Sequence, residues 1–455
     1  MRKNIILITL LILAFGLLPV SRVHAASQPD VANNQVVFDF PNSATFSADI
    51  TSGTEIASVV LEYGNAQLTC GEVVAKAFPE VTSSKSVSVA WTWDMRQSGS
   101  LPPGASLWWR WRITDKNGAQ TVSETKTATW LDDIHNWKTI TQGKINFHWY
   151  SGDETFARDL LNAAQGGLDL LKRDAGLEPD APIDIYIYGS NSDMRDAILY
   201  EPSWTGGMAF PEQNIVILGI AQSDLDWGRS SIVHELTHVL VGHLTFSCLS
   251  DVPTWLDEGL AVYSEGKLDP ASQTQLDTAI RNNQLLSVRS LSAGFSEVAD
   301  KAYLSYSQSY SIVKFLIETY GQNKMNALLI ALRDGKTTDE ALSEVYGFDV
   351  DGLEDAWREA VGAGPRPASA KPTALATPTF VPTYVPFSGA SLLVTPTPYM
   401  LPTSTFSEPS SSPSGPPLSL TLALLGFCCL LLLIIGVFVL GFIVRSGSQK
   451  AKKNE

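Results

Sequence analysis

Two histidines, His234 and His238, bracket Glu235-Leu236-Thr237, and 19 residues later (Val239 to Asp257 intervening) comes Glu258-Gly259-Leu260-Ala261. On a helix, side chains four apart share one face about 6 Å from each other, so both imidazoles reach one cation while Glu235 projects beside it toward water. A zinc ion that does chemistry takes three protein ligands and keeps one open position. Glu258 is the candidate for the third. Two neutral imidazoles and one carboxylate leave a single Zn2+ net positive, which activates water for attack on a carbonyl. Glu235 is then the general base, taking the water's proton and passing it to the leaving amine.

The elements that must position these groups are partly readable. Ile232, Leu236, Val239 and Leu240 form an apolar stripe at helical spacing. The preceding Asp226-Trp227-Gly228-Arg229-Ser230-Ser231 offers an N-cap, and Gly242 is the expected end of the helix. His243 lies five residues past His238, about 140° around the helix, and is read as a neighbouring histidine rather than a ligand.

The pair His234-Glu-Leu-Thr-His238 with Pro253-Thr-Trp-Leu-Asp-Glu258-Gly-Leu-Ala-Val-Tyr263 resembles the gluzincin metallopeptidases, the group containing thermolysin and the aminopeptidase-N-like enzymes. The Trp-Leu-x-Glu-Gly-Leu-Ala wording is similar to the aminopeptidase branch and the 19-residue interval to thermolysin, so the subfamily stays open. The resemblance implies His234, His238 and Glu258 as metal ligands and Glu235 as base. It also implies a tyrosine or histidine that stabilises the tetrahedral oxyanion, where charge develops only in the transition state. Ala302 to Tyr310 resembles the tyrosine-bearing helix of such peptidases, with Tyr306 the first candidate and Tyr310 the second; both also fit an amphipathic helix with core tyrosines. Thermolysin-like chains often carry Asp four places after the ligand Glu, where this chain has Val262, so another group must orient the imidazoles. Asp251, Asp257 and Glu265 are near in sequence but receive no role.

In enzymes of this kind the edge strand before the metal helix pairs antiparallel with substrate, giving backbone affinity and pockets for alternate side chains. Trp204 to Phe210 lies between strand patterns at Pro182–Tyr188 and Asn214–Leu218, and Gly207, Met208 and Ala209 are the substrate-contact candidates; an ordinary hairpin turn is the plainer reading. A strand at Lys144–Tyr150 and a helix at Asp153–Asp174 come first, and helical patterns at 307–320, 324–334, 339–346 and 351–361 follow the motifs. That order is an α+β zincin-like catalytic domain over 137–362.

Residues 30–132 read as an all-β immunoglobulin- or fibronectin-like sandwich, with alternation at Val87–Trp93 and Leu107–Ile113 and a hairpin signal at Asn117-Gly118. The alternation suggests a carbohydrate-binding face around Trp108 and Arg110, but two-sided packing, including against the catalytic domain, is the simpler account.

Arg2 and Lys3 before the apolar run Ile5–Leu18, with small residues near Ala25, describe a signal peptide over 1–25. A disordered Pro/Ser/Thr-rich stalk occupies 364–417. Leu418–Val444 holds 27 residues without a charge, enough for a transmembrane helix, and Arg445, Lys450, Lys452 and Lys453 mark the 445–455 tail as cytoplasmic. The expected topology is a single-pass cell-membrane protein with its catalytic domain extracytoplasmic. A net charge of -15 disfavours nucleic acid as a partner. Outside the span the only cysteines are Cys70 and Cys248, and an oxidising exterior permits a bridge between them.

These readings converge on a membrane-anchored zinc metallopeptidase acting on a peptide or protein substrate, exo- or endo-cleavage undecided. The alternative is a catalytically weak or inactive zincin-fold surface binding or scaffold protein that works through its β-sandwich.

Overall fold

The computed structural model describes residues 28–200, 205–295 and 299–366. The signal-peptide, span and tail assignments, and the stalk beyond 366, lie outside them. Among the described residues, no helix is long and apolar enough to cross a membrane.

The chain begins with β1 (Asp30–Asp39), β2 (Ser43–Asn65), β3 (Ala75–Ala77), β4 (Ser84–Asp94), β5 (Ser106–Asp115), β6 (Gln120–Val122) and β7 (Lys126–Thr129). The N-terminal region is therefore β-rich, but its connectivity differs from the two separate sheets expected of an immunoglobulin-type sandwich. All seven strands join one hydrogen-bonded sheet. The reason is the 23-residue β2, whose first half pairs with β1 and β4 and whose second half pairs with β3 and β5, with a register shift between Thr51 and Ile56. Irregularities of this kind bend a strand. The inward side chains of both halves share one core, in which Phe46 packs against Trp109 with ring centroids 5.5 Å apart. Outward-facing Arg110 and Arg112 donate from Nε to Glu62, which is 1 % exposed, at 2.7 and 2.9 Å.

The second unit opens with β8 (Lys138–Gln142) and β9 (Ile145–Trp149), then α1 (Glu154–Ala175), β10 (Ile183–Tyr188), α2 (Asn191–Ile198), β11 (Gly207–Phe210) and β12 (Ile215–Gly219). Asp153 caps α1 by accepting from Phe156 N, and Gly176, at φ 71°, closes it in the left-handed conformation that glycine adopts without strain. The five strands run in the order β11-β12-β10-β9-β8; β9, β10 and β12 are parallel, and the two outer strands antiparallel to their neighbours. β10 and β12 are apolar on both faces because both are covered. Ile185, Ile187, Val216 and Leu218 enter the helical core, whereas Tyr186, Tyr188, Ile215 and Ile217 enter the core of the β-rich region. The inward aromatics Trp109 and Trp111 share this core, whereas Trp108, on the opposite face, packs over Gly64.

The remaining chain is helical: α3 (Leu225–Thr245), α4 (Thr254–Ser264), α5 (Pro270–Arg281), α6 (Ala299–Tyr320), α7 (Gln322–Arg333), α8 (Thr338–Tyr346) and α9 (Val350–Ala360). α3 departs from expectation at both ends. It starts at Leu225, so 226–231 lie inside it rather than capping it, and it runs through Gly242 to Thr245. Both interior glycines allow close packing: a β-carbon on Gly228 would stand 2.7 Å from Ile220 Cγ2, and one on Gly242 2.6 Å from Pro211 Cβ. Cys70 and Cys248 form a disulfide, Cα atoms 5.4 Å apart, tying the loop after β2 to the loop after α3.

Candidate active site

α3 presents His234 and His238 on one face, and α4 crosses it to bring Glu258 opposite. The imidazole Nε2 atoms stand 3.4 and 3.6 Å from Glu258 Oε2. Donor atoms of the three residues lie within 4.8 Å of one another, and among the described residues they are the group able to hold an ion. Glu258 Oε2 is buried and accepts no hydrogen bond. A buried carboxylate oxygen without a donor is costly in a folded protein. Two ring nitrogens and this oxygen, all converging, are the donor set of a catalytic zinc site, so the residues present fit that ion.

The imidazoles are oriented from behind. His234 Nδ1 meets Glu265 Oε1 at 2.8 Å, and His238 Nδ1 meets Asp257 Oδ2 at 3.0 Å. A proton on Nδ1 in each ring leaves the Nε2 lone pair facing inward, the tautomer a metal requires. These are the partners that Val262 cannot provide. Glu265, the residue that caps the C-terminus of α4, stands seven residues after Glu258, two helical turns on, a spacing that keeps both on one side and was available in the sequence. Asp257 had no such signal, because adjacent residues point in different directions.

The electrostatics favour a cation. Burial alone lowers the proton affinity of His234, but Glu258 and Glu265 outweigh it and raise its pKa to about 10. For His238 burial is likewise outweighed, chiefly by Asp257, and the value rises to about 9. Burial pushes the Glu235 carboxyl above its usual range. The edge strand passes directly over this carboxyl: a β-carbon on Gly207 would lie 3.0 Å from Glu235 Oε1. Met208 and Ala209 continue along β11, whose outer edge bears no neighbouring strand among the described residues.

The two tyrosines separate. Tyr306 is raised to about 12 by burial, then by the carboxylates of Glu258 and Glu235, which places its hydroxyl in the field of the site. Tyr310 is raised by burial and then feels Lys314 and Glu318; its ring packs 6.2 Å from that of Tyr263. His243 turns elsewhere, with Nδ1 3.3 Å from Asp180 Oδ1.

Residues 163–363 match the family model of the Peptidase MA superfamily. The match covers less than half of the chain and is consistent with the metallopeptidase resemblance read from the sequence. No curated protein matches the chain. Among solved structures it is similar to wild-type OgpA from Akkermansia muciniphila, at 12 % identity over 24 % of this chain and 30 % of that one, TM-score 0.19. It spans less than a third of that protein. It is also similar to an M1 zinc metallopeptidase from Deinococcus radiodurans, at 14 % identity over 75 % and 95 % of the two chains, TM-score 0.32. An aminopeptidase N family protein from Idiomarina loihiensis shows 11 % identity over 70 % and 74 %, TM-score 0.35.

Proposed function

We propose that this protein is a membrane-anchored, extracytoplasmic zinc metallopeptidase of gluzincin type that hydrolyses peptide bonds. The observation that carries the reading is the approach of two inward-facing Nε2 atoms to Glu258 Oε2, a buried oxygen that accepts no hydrogen bond, with the buried carboxyl of Glu235 alongside. When bound, one zinc ion held by His234, His238 and Glu258 supplies a Lewis acid for water and for the substrate carbonyl. Glu235 takes the proton from the attacking water and delivers it to the amine nitrogen as the C–N bond breaks. Tyr306 donates a hydrogen bond to the oxygen that gains charge. Substrate adds antiparallel to the free edge of β11, with Gly207, Met208 and Ala209 along its backbone.

The extracytoplasmic assignment draws on the 1–25 signal pattern, the uncharged 418–444 segment and the basic residues after it. The Cys70–Cys248 disulfide supports it, since such bonds persist in oxidising compartments. The test compares the purified full-length protein with its Glu235→Gln form on a broad peptide library, with zinc content measured for both. Cleavage by the first and at least a thousandfold less by the second, on the order of the loss from a disabled catalytic group, supports the reading. Equal, background-level cleavage overturns it in favour of a binding or scaffold protein.

A further inference from the structure

Trp227 lies on α3 seven residues before His234. Two helical turns return to nearly the same face, so the indole occupies the metal-facing side of the helix, roughly 10 Å along the axis from the first imidazole. It is 45 % exposed, uncommon for so large an apolar ring. Its position against the edge strand is fixed: a β-carbon on Gly206 would stand 2.8 Å from Trp227 Cη2 and 2.9 Å from Cζ2. Gly206 is in turn held in register with β12, because its carbonyl accepts from Gly219 N at 3.0 Å. The two successive glycines thus have different neighbours from one helix, Trp227 for Gly206 and Glu235 for Gly207.

A cavity of about 550 Å3 opens beside the ring, lined by Asn191, Ser223, Asp224, Leu225, Asp226 and Trp227. Its chemistry is an aromatic surface with a carboxylate and polar rim. Asp226 is paired with Arg229 at 2.9 Å, and Asp224 accepts from Ser223 Oγ at 3.1 Å. A neutral side chain would use the ring alone. A lysine or arginine side chain uses all of it, laying its methylenes and cationic head on the indole and reaching the acidic rim. The chain's net charge of -15 favours the approach of such a substrate.

We infer that Trp227 and Asp224 form a specificity pocket for a basic side chain two or three residues to the C-terminal side of the scissile bond. The inference rests on the peptidase reading and on antiparallel addition to β11. In that orientation, substrate residues passing from Gly207 toward Gly206 lie C-terminal to the bond held near Glu235. At about 3.4 Å per extended residue, 10 Å corresponds to two or three positions. The protein accordingly cuts chains that continue past the scissile bond.

The test uses peptides with a single arginine scanned through the first four positions after the cleaved bond, with citrulline as the neutral match. The full-length protein should prefer arginine at the second or third position. Trp227→Ala should lower kcat/KM for that peptide about tenfold, mainly through KM, and Trp227→Phe should restore most of it. Asp224→Asn should abolish the preference for arginine over citrulline. Peptides ending one residue after the bond should be cleaved equally by all forms. Binding of the arginine and citrulline peptides to zinc-loaded Glu235→Gln protein, with and without Trp227→Ala, reads the pocket independently of turnover. An active enzyme with no positional preference, or one unchanged by Trp227→Ala, overturns the pocket and leaves the peptidase reading standing. Failure of every peptide to be cleaved removes the peptidase reading, and equal binding of the two peptides then removes the pocket as well.

Discussion

Glu265 lies outside the ligand set, yet its removal should be felt mainly in zinc affinity. Its Oε1 stands 2.8 Å from His234 Nδ1, the shorter of the two carboxylate–imidazole contacts, and its side chain is 28 % exposed against 33 % for Asp257. Glu265→Ala removes the acceptor that keeps the proton on Nδ1, so the ring is free to turn and to protonate at Nε2. Loss of such a partner weakens metal binding by about 10- to 100-fold, or roughly 1.4 to 2.8 kcal/mol. The contact is short and the better shielded of the two, so Glu265→Ala should fall in the upper part of that range and Asp257→Ala in the lower. Glu265→Gln retains an acceptor oxygen and should lose less than tenfold. Competition for zinc against a chelating indicator, with circular dichroism to establish folding, measures all three. A folded Glu265→Ala protein that binds zinc within twofold of the unaltered chain would refute the orienting role.

Two further outcomes follow from other parts of the molecule. Tyr306→Phe should reduce kcat by about 100- to 1000-fold with zinc content unchanged, whereas Tyr310→Phe, whose ring packs beside Tyr263, should leave turnover near normal; the opposite pattern would exchange their roles. In the β-rich region the Arg112 guanidinium, and beyond it Arg110, holds the Glu62 carboxyl below its ordinary 4.5 despite the opposing effect of burial. A folded-state value below the unfolded one adds stability that is complete above pH 4.5 and lost as pH falls through the lowered value, so melting temperature should decline there. Glu62→Gln should start lower at pH 7 and decline less on acidification; parallel curves for the two proteins would dismiss the linkage.

What could be read in advance divides along physical lines. His234, Glu235 and His238 were legible because helical geometry alone sets their relation, and the strands at 183–188 and 215–219 because alternation in the first and an apolar run in the second mark strand rather than helix. Glycine misled at α3. Gly242 read as the helix end and the segment around Gly228 as its cap, but the two glycines admit Pro211 and Ile220, a tertiary reason invisible from local pattern. Helix α5 and strand β8 were not anticipated; α5 buries only Leu276 and Ala279, too sparse a stripe to show periodicity, and β8 is largely exposed. The single bent sheet at the N-terminus was hidden because strand pairing is non-local and the sequence of β2 reads as two short strands, Thr45–Ile50 and Ala57–Tyr63. Asp257 and Glu265 stood in view without a role until the imidazoles had directions.

In the proposed site His234, His238 and Glu258 hold one zinc ion together. A crystal structure of the zinc-loaded protein, with anomalous diffraction recorded on both sides of the zinc absorption edge, tests it most directly. One peak is expected, about 2.0–2.2 Å from both Nε2 atoms and from a Glu258 carboxylate oxygen. A peak bound by the histidines without Glu258, or no peak between the three side chains, would contradict it.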